Sequence, residues 1–194
     1  MPHTTPVVPR MAPPALLIID QQQGMLAPHL GPRNNPAAEQ RMLDLLGHWR
    51  QRHWPLLHVR HISRSATSVF APGQVGALFQ AAFEPGPEEA LFEKNVPDAF
   101  AQSGLERWLR VRALDQLVIV GVSSENSVES TARSAGNLGF RAFVAEDACY
   151  TFAKNDFHGH ARSAEEVHAM AMANLHGEYA QVLDCAALLA RFAD

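Results

Sequence analysis

A three-layer α/β/α domain around a parallel sheet is the fold this sequence predicts, and three observations predict it. Short apolar runs alternate with stretches whose apolar residues recur at helical spacing. The runs are nearly continuous rather than alternating, as strands buried on both faces must be. Several of them stop abruptly at a charged or small polar residue, as strands do at the carboxyl rim of an open sheet. At 194 residues and 47% hydrophobic content the chain can bury one substantial core, so a single domain over 15–194 is expected behind a loose arm at 1–14, which contains five prolines.

Ala15–Ile19 is the first strand, and it ends at Asp20, followed by Gln21, Gln22 and Gln23. A carboxylate directly after a buried strand must be paired or used. Asn35 and Pro36 suit a helix start, with Asn35 as the capping side chain, and Ala38, Met42, Leu45, Leu46 and Trp49 give one apolar face through about residue 52. Residues 55–60 form the second strand. His58 and His61 at its end fall on opposite faces and read as ordinary strand histidines rather than ligands.

Residues 62–89 are irregular, and so long a connection in a compact domain is more often functional than idle. Ala90–Lys94 is the third strand, again ending in a charge. Ser103, with Glu106 three residues on, reads as a capping box opening a helix that carries Leu105, Trp108 and Leu109. Residues 117–120 are the fourth strand. Beyond Gly121 comes a small polar elbow, Ser123, Ser124, Asn126 and Ser127, and then a helical stripe of Val128, Ala132, Ala135 and Leu138. The fifth strand spans 140–146, and 147–162 reads as a long polar loop in which His158 and His160 are solvated. Ser163 and Glu166 make a second capping box. Ala180–Leu183 is the sixth strand and 186–192 the closing helix.

Composition excludes several classes of partner. A net charge of −4 offers no basic surface for nucleic acid, and no run is apolar over membrane length. Cys149 and Cys185 lack metal-ligand spacing, which favours a reduced, cytoplasmic protein. No cofactor and no catalytic metal are expected, and the partner is a small-molecule substrate.

The chemistry converges on Asp20, Lys94 and Ser127, which sit at or just beyond the carboxyl ends of three strands and so share one rim. Asp20 can take the hydroxyl proton while Lys94 favours the resulting anion. Backbone N–H groups of the elbow, at a helix N-terminus, suit a developing oxyanion. Attack on a small acyl compound, most simply an amide, is the implied reaction. An Asp20–Lys94 ion pair with Ser127 as a helix cap is the structural alternative.

These residues resemble the isochorismatase-like superfamily, also called the cysteine hydrolases, over nearly the whole chain. Leu17-Ile18-Ile19-Asp20-Gln21-Gln22 is similar to the family's first-strand motif. Lys94, with Pro97 and Phe100 behind it, is similar to its lysine segment. Gly121-Val122-Ser123-Ser124, followed by Ser127-Val128-Glu129-Ser130-Thr131-Ala132-Arg133, is similar to its nucleophile motif. The resemblance implies a Rossmann-like α/β/α domain with a six-stranded parallel sheet, assembled as a homodimer or larger. It also implies a cis peptide before Ser123 and an oxyanion hole made by the N–H groups of Ser123 and Ser127. Most amide-cleaving members carry cysteine where this chain has Ser127.

Three accounts of that serine stand: a native residue in chemistry that needs no thiolate, a replaced cysteine, or a domain that binds without turnover. The small polar neighbours favour a native serine. Isochorismatases proper lack the cysteine and cleave a vinyl ether, with the aspartate as acid–base and the lysine in support. Cys149 is a further candidate for a displaced nucleophile. Gln22, Phe70, Phe79, Tyr150 and Phe152 are the expected substrate contacts, the four aromatics implying an apolar pocket.

Overall fold

The computed structural model describes residues 12–193. Strand β1 (Ala15–Ile19) lies at the centre of a six-stranded parallel sheet, flanked by β2 (Leu56–His61) and β4 (Gln116–Val122). β3 (Ala90–Lys94) is the edge beyond β2. β5 (Arg141–Tyr150) and a last strand, Ala180–Leu183, lie beyond β4. Between these last two the chain makes a short antiparallel hairpin of β6 (Lys154–Asn155) and β7 (Ala161–Arg162), so the final sheet strand is β8.

Successive residues of a strand point to opposite faces, and each face is covered by helices. Leu17, Ile19, Leu117 and Ile119 pack with α2 (Leu105–Val111), α3 (Glu129–Asn137) and α4 (Ala164–Leu175). Leu16, Ile18, Val118 and Val120 pack with α1 (Ala38–Arg52) and α5 (Cys185–Arg191). All five residues of β1 and all seven of β4 are buried, which is why their sequences read as unbroken apolar runs.

The sheet order β3-β2-β1-β4-β5-β8 reverses direction between β1 and β4. At such a reversal the connecting helices leave to opposite faces, and a crevice opens beyond the carboxyl ends of the two strands. Asp20 follows β1 and the elbow follows β4, so both border that crevice.

Four local expectations are corrected. Asn35 does not cap α1, whose first turn has no side-chain cap. Its amide instead donates to the carbonyls of Glu146 (2.9 Å) and Cys149 (2.7 Å), across the irregularity in β5. Ser103 makes no capping box, because Gly104 takes the cap position with φ +76° and Glu106 turns to Arg110. β5 does not stop at residue 146. After its register slips it pairs again, Cys149 with Gly121 and Tyr150 with Val122. The polar pair Glu146 and Asp147 marks that slip, which local reading takes for a strand end. Finally, 147–162 is not one loop but the end of β5 followed by the hairpin.

The capping box at Ser163 forms in full: its hydroxyl accepts from the Glu166 N–H, and the Glu166 carboxylate accepts from the Ser163 N–H at 2.8 Å. Of the expected N-terminal arm, residues 1–11 lie outside the described residues. Ala12 and Pro14 are tied down, their carbonyls accepting from Gln116 and from the Trp49 indole.

Candidate active site

Asp20 leaves β1 with φ +54°, a left-handed backbone that aspartate tolerates better than most residues. Its N–H stays in register, donating to the Val59 carbonyl, while the turn swings the side chain into the crevice. Lys94, at the end of the edge strand, reaches past β2. Its Nζ donates to Asp20 Oδ2 at 2.6 Å and to Ser127 Oγ at 3.0 Å. The Ser127 hydroxyl in turn donates to the same Asp20 Oδ2 at 2.8 Å. Three groups separated in sequence by as many as 107 positions thus form one closed triangle.

The elbow that carries Ser127 is a single wide turn, residues Ser124–Val128, running directly into α3. Wide turns of this kind concentrate at functional sites. The Val122–Ser123 peptide is cis, and the Ser123 carbonyl accepts from the N–H groups of Asn126 and Val128. Gly121 makes the bend possible. A Cβ there would lie 2.2 Å from the Ile19 carbonyl oxygen, and its φ of +131° is one that side chains resist.

Asp20, Lys94 and Ser127 are 1%, 3% and 6% exposed. Burial pushes the Asp20 carboxyl above its ordinary value, against the pull of Lys94 and the hydroxyl of Ser127. Its second oxygen, Oδ1, is buried and makes no hydrogen bond. His61, at the end of β2, is held below its ordinary value by burial and by Lys94, which favours the neutral ring beside the ammonium.

Lys94 also lines a cleft of about 480 Å³ whose other walls include Ile62, Ser63, Arg64, Pro72 and Asn95. The segment 62–89 therefore borders Lys94, through residues between 62 and 72 rather than through its aromatic ones. Phe70 packs edge-on against His61 and closes over Gly24. Phe79 lies buried against His58. Tyr150 and Phe152 belong to the layer beneath α1, with Arg33 stacked 3.9 Å above the Tyr150 ring. The Gln22 amide is spent on the backbone, donating to the carbonyls of His61 and Ala77 and accepting from the His61 N–H. It ties β1, β2 and the 62–89 segment together.

Cys149 packs in the core behind β4, its thiol pushed up to about 12 by burial. It is 0% exposed. His158 and His160 are exposed on the hairpin, their backbone N–H groups donating to Asp156. Among the described residues no three His, Cys, Asp or Glu side chains gather as a metal site.

Two features of the elbow escaped the sequence reading. Ser124 Oγ lies 2.7 Å from Nδ1 of His168 on α4, and His168 Nε2 lies 3.4 Å from a Glu146 carboxylate oxygen. Glu125 accepts from the Lys154 ammonium at 2.9 Å and from the Thr151 hydroxyl. Nothing in the local pattern flags either set, because the partners lie between 22 and 44 residues away.

A doubly wound α/β/α domain with an acid, an ammonium and a hydroxyl meeting at its topological switch point is the class this geometry defines. The isochorismatase domain model matches residues 14–187, and the chain belongs to that family of hydrolases. A crystal structure of an isochorismatase-family protein from Chromobacterium violaceum superimposes with a TM-score of 0.92 at 48% identity, covering 100% of this chain and 99% of that one. The isochorismatase family protein YrdC of Bacillus subtilis is 31% identical, over 87% of this chain and 90% of its own length. A streptothricin hydrolase of Streptomyces noursei is 33% identical over 71% of this chain and 50% of its own.

Proposed function

We propose that this chain hydrolyses a C–N bond in a small amide, with Asp20 as base, Ser127 as nucleophile and Lys94 as the cation that supports both. The observation that carries the reading is the closed triangle of Asp20, Lys94 and Ser127. The hydroxyl is already aligned to give its proton to the carboxylate, and the ammonium sits where negative charge would grow on Oγ. An aspartate is ordinarily too weak a base for a hydroxyl, and burial of Asp20 narrows that gap by raising it. Attack would form the Oγ–carbon bond while Asp20 takes the proton, with the N–H groups of Ser123 and Ser127 holding the oxyanion. Collapse breaks the C–N bond as Asp20 returns the proton to the leaving nitrogen, and water then releases the acyl group. The name of the streptothricin relative, a hydrolase, supports hydrolysis as the reaction class.

A second reading, vinyl-ether hydrolysis without a covalent intermediate, is favoured by one observation. Asp20 Oδ1 is unpartnered, and a carboxyl raised by burial can hold a proton to donate. Two free, buried thiols, Cys149 and Cys185, support a reducing, cytoplasmic setting. Met170, exposed on α4 in a groove beside the hairpin, supports association with a second copy.

The test is turnover of a panel of small amides, esters and vinyl ethers by purified protein. Asp20→Asn should lower kcat/KM by about 10³-fold. Ser127→Ala should abolish amide cleavage and spare vinyl-ether cleavage, while Ser127→Cys should raise amide cleavage. Turnover unchanged in Asp20→Asn would refute both readings. Thermal stabilisation by ligands without turnover of any would assign the fold to binding alone.

A further inference from the structure

We propose that His168 is a positioning residue for the elbow: acting through the Ser124 hydroxyl, it holds the turn that presents Ser123 and Ser127 to the crevice. Ser124, His168 and Glu146 are arranged as hydroxyl, imidazole and carboxylate, the order found in serine hydrolases. Ser124 is 0% exposed, however, so no substrate can reach it. The same arrangement serves a different end when the hydroxyl is sealed inside.

The Glu146 carboxylate accepts from Nε2–H, which leaves Nδ1 as an acceptor for the Ser124 hydroxyl proton. The imidazole is thereby held in one tautomer, and Ser124 is fixed in one rotamer. Ser124 is the residue after Ser123 and one turn before Ser127, so fixing it fixes the backbone between them. His168 is buried on α4, a helix anchored at its start by the Ser163–Glu166 capping box, and it makes a rigid post. From the other side Glu125 ties the elbow to Thr151 and Lys154. The turn is thus gripped at Ser124 and at the next residue, Glu125, by groups that take no part in the Asp20–Lys94–Ser127 triangle.

This inference concerns the geometry of the elbow; only its kinetic consequence rests on the hydrolase reading. Amide hydrogen exchange followed by NMR measures the geometry directly, with the amides of β1 and β4 as internal standard. In both His168→Leu and Ser124→Ala, exchange across residues 123–128 should quicken by at least about tenfold while β1 and β4 change by less than about twofold. His168→Asn places a carbonyl oxygen where Nδ1 was and should restore slow exchange at the elbow. Should His168→Leu fail to fold, Ser124→Ala deletes one hydroxyl and carries the same expectation. Unchanged elbow exchange overturns the proposal, and so does quickening shared equally by β1 and β4, which marks a general packing role.

The consequence is read in a Ser127→Cys background. Acylation by p-nitrophenyl acetate, which needs the oxyanion hole, should slow by at least about tenfold on adding His168→Leu. Alkylation by iodoacetamide, which does not need it, should change by less than about threefold. Absence of any p-nitrophenolate burst from Ser127→Cys itself would count against the hydrolase reading, leaving the exchange result to decide the positioning role.

Discussion

Asp20 has one oxygen bound to both Lys94 and Ser127 and another bound to nothing. That asymmetry is the chemical content of the site, since one oxygen can receive the hydroxyl proton while the other stays buried without a partner. Its identity as a candidate was legible because charge rarely follows a buried strand idly. The residue-scale errors have a common cause. Gln22 reads as pocket-lining because it sits in the first-strand motif, and Tyr150 because it is an aromatic of the 147–162 segment. Yet Gln22 is consumed by backbone groups 39 and 55 positions away, and Tyr150 packs beneath α1. Cys149 supplies a test at this scale. With its thiol pushed up to about 12, it is protonated at neutral pH, and only a thiolate alkylates. Native protein should resist iodoacetamide at pH 8 for hours, with fast labelling of Cys149 and Cys185 only after unfolding, as measured by mass spectrometry. Rapid native labelling of Cys149 would reopen its candidacy as a nucleophile.

At the scale of elements, the elbow depends on a strand that approaches its neighbour without a side chain between. The Gly121 Cα faces the β1 backbone so closely that any Cβ would overlap the Ile19 carbonyl. Gly121→Ala should therefore cost at least about 3 kcal/mol, the clash adding to a strained φ, and denaturant unfolding would show the loss. A loss under about 1 kcal/mol would mean that β1 and β4 separate easily, and the crevice would then not be rigid. Elements also divide cleanly into those readable from local pattern and those not. The Ser163 box was legible because both partners lie within one turn. The Ser103 box failed because Gly104 moved the helix start by one residue. β5 was read short because its second half is held by pairing with Gly121 and Val122 and by the Asn35 amide, none of which lies nearby in sequence.

Across the whole molecule, one ion cluster joins elements from three regions far from the crevice. Glu89, before β3, accepts from Arg50 of α1 at 2.7 Å, from the Gly86 N–H, and from buried His58 of β2 at 2.7 Å. Burial pushes the Glu89 carboxyl up, but these donors outweigh it and hold the group down to about 2, from an ordinary value of 4.5. Because the folded state binds this proton less readily than the unfolded chain, the cluster stabilises the fold fully above pH 4.5 and less as pH falls toward about 2. Glu89→Gln should cost about 2 kcal/mol at pH 7, allowing for solvent on the open side, and should flatten the acid limb of the stability profile. An acid limb identical to that of the unchanged protein would remove Glu89 from the account.

Alternating apolar runs and helical stripes, each a matter of neighbours within a few residues, were enough to establish the layered parallel fold and to place Asp20, Lys94 and Ser127 on one rim. Burial on both faces writes itself into composition, and turn chemistry writes itself into spacing. Which atoms then touch depends on contacts between segments separated by tens of residues, and those leave no local trace. The shared Oδ2, the cleft lined from residue 62 rather than by aromatics, and the His168 post behind the elbow exist only once the sheet has brought distant strand ends within a few ångströms.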